Sequence, residues 1–281
     1  MDLGVFLAVL AAAACHAGWN AIVKTGLDRF LSVALISLAV SAIATCAAPF
    51  VQVPSYAAWP WLALSVCLHT GYKLFLVQAY RAGDLAQVYP IARGTAPLLV
   101  TGVMAFAFGE TPSMAAAFGI TLLVAGIWLM SARGGRDLAR LEGRAIAFAL
   151  ATSLFIAGYT LVDGLGARVN GDPHGFVVWL FLLEGPLVLA ILLARRGAGV
   201  LRRLAPFWAS GLAGGAMSLG AYWIVIWAMT VAPIALVAAL RETSVLFALA
   251  ISVTVLREPA TRWRVLAALA ILAGVGAIRL A

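Results

Sequence analysis

The chain has 281 residues, 64% hydrophobic and only 11% charged, with a formal charge of +8. So little polar surface could not cover a water-soluble globule of this size, so composition excludes a soluble protein. The mean hydropathy of +1.04 points instead to a bilayer.

Ten apolar runs of about 20 residues, the length a helix needs to cross hydrocarbon, lie at roughly 3–24, 31–51, 58–80, 85–108, 112–132, 144–165, 175–194, 206–230, 232–255 and 261–280. Stretches such as "AAFGITLLVAGIWLM" do not alternate as barrel strands would, so the expected class is an all-α integral membrane protein. The longest polar segment, Arg133 to Arg144, is a basic linker too short for a soluble domain. "MDLGVFLAVL" has no Lys or Arg ahead of its apolar run, so the first helix is expected to be retained rather than cleaved as a signal peptide.

Ionisable groups at membrane depth are costly and normally face a cavity or a partner, so they carry the information. On the first helix His16, Trp19, Asn20 and Lys24 share a face running toward one end. On the third, "HTGYK" puts His69, Tyr72 and Lys73 at i, i+3 and i+4, again on one face. A wet cavity, in which Lys73 meets a substrate carboxylate while His69 and Tyr72 bond or stack, competes with a snorkelling Lys73 and a His69 bonded to a neighbouring helix.

The fourth helix carries "QVYPIARGTAPLL". Tyr89 and Arg93 share a face, and Pro90, Gly94 and Pro97 predict a weakened backbone ladder, either a broken helix lining a site or a packing kink. Tyr159 and Asp163 form a similar stripe on the sixth helix, with Asp163 near the expected helix end, where interface charges are ordinary. Glu184 lies deep in the seventh and could pair with Lys73, Arg93 or Arg241, or receive a substrate ammonium.

On the eighth helix Trp223 and Trp227 share a face beside Tyr222, as stacking partners or as interfacial anchors. Arg241 and Glu242 are adjacent on the ninth, so their side chains should diverge by about 100° and seek partners elsewhere. Lys73, Arg93 and Arg241 against Glu184 and Glu242 leave about one positive charge inside, which suits an anionic or zwitterionic solute. Glu110 and Glu258, each before a helix start with Pro112 or Pro259, are expected to cap. Cys15, Cys46 and Cys67 fall in apolar runs without ligand spacing and are expected to be small core residues, with no disulfide.

Basic residues are unevenly placed. The first, third, fifth, seventh and ninth loops hold Lys24, Arg29, Arg81, Arg133, Arg136, Arg140, Arg144, Arg195, Arg196, Arg202, Arg203, Arg257, Arg262 and Arg264, against Arg168 and Arg279 in the remaining loops and termini. Positively charged loops stay cytoplasmic, so both termini are expected outside a bacterial-type inner membrane. That bias explains the basicity without nucleic acid as a partner.

The halves resemble each other. An offset of 148 residues places Arg241 on Arg93, Thr243 on Thr95, Glu258 on Glu110 and Ala273-Gly274 on Ala125-Gly126. Five helices per half force the second copy to insert inverted, the build of secondary transporters with midplane sites. The expected division is a first five-helix repeat over 1–132, a linker over 133–143 and a second, inverted repeat over 144–281.

"FGETPSMAAAFGITLLVAGIWL" and "LREPATRWRVLAALAILAGVGAIRL" resemble the Glu-then-helix ending of each repeat in the drug/metabolite transporter superfamily, in its ten-helix EamA-like group. "HTGYK" followed by "QVYPIAR" is similar to the YddG-type aromatic and neutral amino-acid exporters. The resemblance implies alternating access through a cavity lined by His69, Tyr72, Lys73 and Tyr89, with amino acids as substrate, no cofactor and function as a monomer. Arg93, Glu184, Arg241, Trp19, Asn20, Tyr159 and Trp223 complete the candidate site. Exchange of phosphorylated metabolites or nucleotide sugars on Lys73, Arg93 and Arg241 is the alternative substrate class, and a non-transporting sensor or scaffold the alternative role. An enzyme is disfavoured, because the three histidines stand on separate segments and the deep carboxylates are unpaired in sequence.

Overall fold

The computed structural model describes residues 1–22, 27–82, 85–134, 143–255, 257 and 261–281. In chain order the helices are α1 (Leu3–Ile22), α2 (Arg29–Ala47), α3 (Trp59–Ala82), α4 (Leu85–Phe108), α5 (Met114–Gly134), α6 (Gly143–Asn170), α7 (Pro173–Arg196), the single turn α8 (Val200–Leu204), α9 (Trp208–Val231), α10 (Ile234–Arg241), α11 (Ser244–Thr254) and α12 (Arg262–Leu280). Among the described residues nine helical segments are long and apolar enough to cross a bilayer, and α5 carries a shorter apolar run, Met114–Met130. The chain is therefore a multi-pass, all-helical membrane protein.

Local chemistry sets several boundaries. Asp28 caps α2 by accepting from the Leu31 amide, Asp172 caps α7 through the His174 and Gly175 amides with Pro173 next, and Thr261 caps α12. Helix α6 runs to Asn170, where Gly171 takes a φ of 77° and ends it. That end lies beyond the expected one and takes Asp163 well inside the helix.

Packing pairs the first five helices with the later ones: α5 on α12, α2 on α7, α3 on α6 and α1 on α9. Exchanging the halves turns the α3–α6 contact into the α9–α1 contact and returns α5–α12 and α2–α7 to themselves. The α5–α12 contact is backbone-close. A Cβ at Gly119 would stand 2.7 Å from the Gly274 carbonyl oxygen, and one at Gly274 only 2.6 Å from that of Gly119. Small residues permit this approach, which dispersion rewards when lipid offers no hydrophobic drive.

Polar contacts tie each end of the bundle. At one end Arg279 donates to the Met1 carbonyl (3.3 Å), the Ser55 amide to Asn170 Oδ1 (2.9 Å), and Arg168 to Glu110 (2.6 Å) and the Ala232 carbonyl (3.1 Å). At the other, Arg196 meets Asp28 (3.1 Å) and stands over the Phe30 ring.

Four expectations need correction. Helix α4 continues through Pro90 and Pro97, whereas the ninth span divides between Arg241 and Ser244. Glu110 pairs with Arg168 instead of capping, and the cap falls to Ser113, whose Oγ accepts from the Ala116 amide (3.2 Å); Glu258 lies outside the described residues. Cys46 and Cys67 are exposed and Cys15 only partly covered, because in a bilayer an apolar side chain sits as well against lipid as against protein. Arg241 and Glu242 do not diverge, since the helix ends between them.

Candidate functional site: a buried polar layer between the halves

The centre of the bundle holds two linked clusters. In the first, Arg93 of α4 makes a two-pronged pair with Glu242: Nε to Oε2 at 2.7 Å and Nη2 to Oε1 at 3.0 Å. Arg93 is 2% exposed and Glu242 fully enclosed, which suits the planar guanidinium fork. The remaining Arg93 nitrogen, Nη1, lies 3.2 Å from His16 Nε2, so that histidine nitrogen is the acceptor.

Arg241 shares the same carboxylate less closely, with its Nε 3.7 Å from Glu242 Oε1. Its Nη2 donates to Thr160 Oγ1 at 3.3 Å, and its guanidinium carbon stands 5.6 Å from the centre of the Tyr159 ring. Arg241 is buried, yet its Nε has no hydrogen-bond partner among the described residues. Two guanidiniums thus draw on one carboxylate, and Arg241 is the one with donor capacity left.

The second cluster surrounds Asp163, which is completely enclosed. It accepts hydrogen bonds from the Ser65 and Tyr222 hydroxyls and lies 3.0 Å from His69 Nε2. The Tyr222 oxygen is also 3.1 Å from His69 Nε2. Because Tyr222 gives its proton to Asp163, its oxygen can only accept from His69, so Nε2 carries the ring hydrogen. The His69 ring stacks on Tyr159 with centroids 4.3 Å apart, and Tyr72 and Phe181 meet this group edge-on. Tyr159 therefore has His69 and Arg241 as close neighbours, joining the two clusters.

Lys73 belongs to a third contact. Its Nζ donates to Glu184 Oε1 (2.6 Å) on α7 and to Ser37 Oγ (2.7 Å) on α2. The lysine is thus matched by a carboxylate of the protein itself, while its stem lines an apolar cleft with Phe30, Thr70 and Val188. Glu184, for which several partners were open, takes Lys73.

The other candidates fall outside these clusters. Asn20 donates to the His16 backbone carbonyl (2.7 Å) and so serves its own helix. Trp19 meets His16 edge-on at 5.2 Å. Trp223 donates to His174 Nδ1 (2.7 Å), while its neighbour Tyr222 is the residue that reaches the centre. Lys24 and the side chain of Tyr89 lie outside the described residues. Tyr222, Ser65 and the central role of Asp163 were not readable in advance; the only signal was that Tyr222 adjoined the tryptophan face and Asp163 shared a stripe with Tyr159. The interior charge also changes. With Asp163 added, Lys73, Arg93 and Arg241 are balanced by Asp163, Glu184 and Glu242.

Comparison with known proteins gives a class. Residues 143–280 match the family described as the EamA-like transporter family. A solved chain described as "Crystal structure of protein" superposes with a TM-score of 0.78 at 17% identity, covering 98% of this chain and 95% of that one, which establishes a shared fold. No curated protein matches the sequence. Residues 143–280 of this multi-pass membrane protein are thus similar to the EamA-like transporter family.

Proposed function

We propose that the protein is a secondary transporter of amino acids, aromatic and neutral ones included, which exports them across a bacterial-type inner membrane with both termini outside. Two five-helix repeats, 1–132 and 144–281, open the central polar layer alternately to either side.

One observation carries the reading: Arg241 is buried and shares the Glu242 carboxylate with Arg93, its Nε makes no hydrogen bond among the described residues, and its guanidinium carbon stands 5.6 Å from the centre of the Tyr159 ring. A substrate carboxylate would complete the donor set of Arg241 in a charge-assisted bond. An aromatic side chain would extend the wall formed by Tyr159, Tyr72 and Tyr222. Arg93, Arg241 and Glu242 together hold one positive charge, enough for one carboxylate. A phosphomonoester, with about −1.5 to −2 charges, would leave negative charge buried, which makes phosphorylated metabolites and nucleotide sugars the weaker substrate class. Lys73, already matched by Glu184, holds the bundle together rather than meeting the substrate.

The test is counterflow of labelled tryptophan, phenylalanine and threonine in reconstituted vesicles. Wild-type protein shows saturable counterflow, and both Arg241→Gln and Tyr159→Leu weaken it at unchanged protein yield. Well-folded wild type with no amino-acid signal would overturn the assignment.

A further inference from the structure

We propose that the cleft between α2, α3 and α7 holds one anionic phospholipid, with an acyl chain along its walls and the phosphodiester at Arg81 and Arg195. The site lies apart from the central polar layer and does not depend on which solute the protein moves.

Helical spacing builds the walls. On α3, Leu74 and Val77 line the cleft and Arg81 continues their stripe at i+7; on α7, Val188 and Ile191 line it and Arg195 continues theirs at i+7. Both helices start near the Ser55–Asn170 bond and pack together. The two stripes therefore run to the same end of the bundle, where each finishes in an exposed arginine. One helix belongs to the first half of the chain and the other to the second, so an occupant of the cleft touches both.

The cleft offers a polar ligand little. Thr70 and Lys73 are the only polar residues that line it. The Thr70 hydroxyl is covered, and Lys73 Nζ is held by Glu184 at 2.6 Å and Ser37 at 2.7 Å, which leaves only the lysine stem. A hydrocarbon chain matches such a wall.

At the arginine end the character changes. Phe30 of α2 lines the cleft, and the guanidinium carbons of Arg195 and Arg196 both stand 5.8 Å from the centre of its ring. Asp28 reaches Arg196 at 3.1 Å, whereas among the described residues no carboxylate pairs with Arg195 or Arg81. Arg81, Arg195 and Arg196 are thus set against one carboxylate. A phosphodiester supplies the missing anion in a geometry that guanidinium favours, and basic pockets between membrane helices recognise acidic headgroups in this way. The preference of positive loops for one side of the membrane accounts for the side these arginines occupy. It does not account for an apolar cleft that ends in an arginine on each of two walls.

The test titrates delipidated full-length protein in neutral detergent with dioleoyl phosphatidylglycerol or dioleoyl phosphatidylcholine, which share their chains, and counts bound lipid by native mass spectrometry. Wild type takes up one phosphatidylglycerol about ten- to thirtyfold more tightly than phosphatidylcholine. Arg81→Gln combined with Arg195→Gln brings the two lipids level, and both side chains are exposed, so the fold is kept. Arg202→Gln combined with Arg203→Gln, at the same end but on α8 and off both stripes, leaves the preference intact. Ile191→Trp, which fills the cleft, weakens phosphatidylglycerol about tenfold. Equal affinity of wild type for the two lipids overturns the proposal. So does an equal loss from the two arginine pairs, which would assign the preference to the general charge of this end, and so does unchanged binding to folded Ile191→Trp protein.

Discussion

Residues 91–97, "IARGTAP", and 239–245, "ALRETSV", occupy matching places in the two halves and share an Arg and a Thr, yet they fold differently. The first, rich in helix breakers, stays helical. Thr95 returns its hydroxyl to the Ile91 carbonyl at 2.9 Å, four residues back. The second has no proline or glycine, and its backbone tightens: the amides of Glu242, Thr243, Val245 and Leu246 all bond to carbonyls three residues back, at 2.8–3.1 Å. Thr243 follows suit by donating to the Leu240 carbonyl at 2.7 Å.

The difference teaches that buried charge, more than residue propensity, decides where this bundle departs from helix. Glu242 stands where the first half has Gly94, and tightening the turn brings its carboxylate to both Arg93 and Arg241. One half supplies the arginine that is fully satisfied, and the other the arginine with a donor to spare.

The sharpest way to break that comparison is Glu242→Gln, which strands two buried guanidiniums. We expect a loss of about 3–5 kcal/mol, read as a large fall in thermal stability of the purified protein in detergent. An unchanged melting temperature would show that the pair does not hold the halves together. Next is Arg241→Gln. It removes only the weaker partner of Glu242, so it should destabilise less than Arg93→Gln while weakening amino-acid half-saturation about ten- to a hundredfold, the range of a charged hydrogen bond of about 1.5–3 kcal/mol. Equal stability losses from the two arginine variants would erase the asymmetry argued here.

Smaller effects sharpen the backbone contrast. Thr243→Val removes the hydroxyl that closes the tightened turn and should cost about 1 kcal/mol, whereas Thr95→Val, in a continuous helix, should be close to neutral; denaturant unfolding of both variants compares them. Glu110→Gln should cost about 1 kcal/mol or less, since its pair with Arg168 is partly exposed. A larger loss would mean that this contact at the end of the bundle latches the observed conformation.

The sequence read well wherever one helix carries the signal by itself. The ten apolar runs, the shared face of His69, Tyr72 and Lys73, and the central place of Arg93 and Arg241 all follow from periodicity or from the offset between halves. What could not be read depends on how helices meet. Asp163 looked like an end charge because the apolar run fades near Gly166, but the helix continues four residues further and Gly171 ends it. Choosing Trp223 over Tyr222 required knowing which face of α9 turns inward, and two adjacent aromatics do not reveal that. The pairing of Lys73 with Glu184 left Arg241 as the open cation, and only the contacts between α3 and α7 distinguish the two.

The most direct test of Arg241 as the carboxylate site needs no variant. Wild-type protein in vesicles, carrying out tryptophan counterflow, is challenged with indole-3-propionate, which keeps the ring and carboxylate but lacks the ammonium, and with tryptamine, which keeps the ring and ammonium but lacks the carboxylate. The account predicts that indole-3-propionate competes and tryptamine does not. Competition by tryptamine alone would contradict it and move substrate recognition from Arg241 to the buried carboxylates.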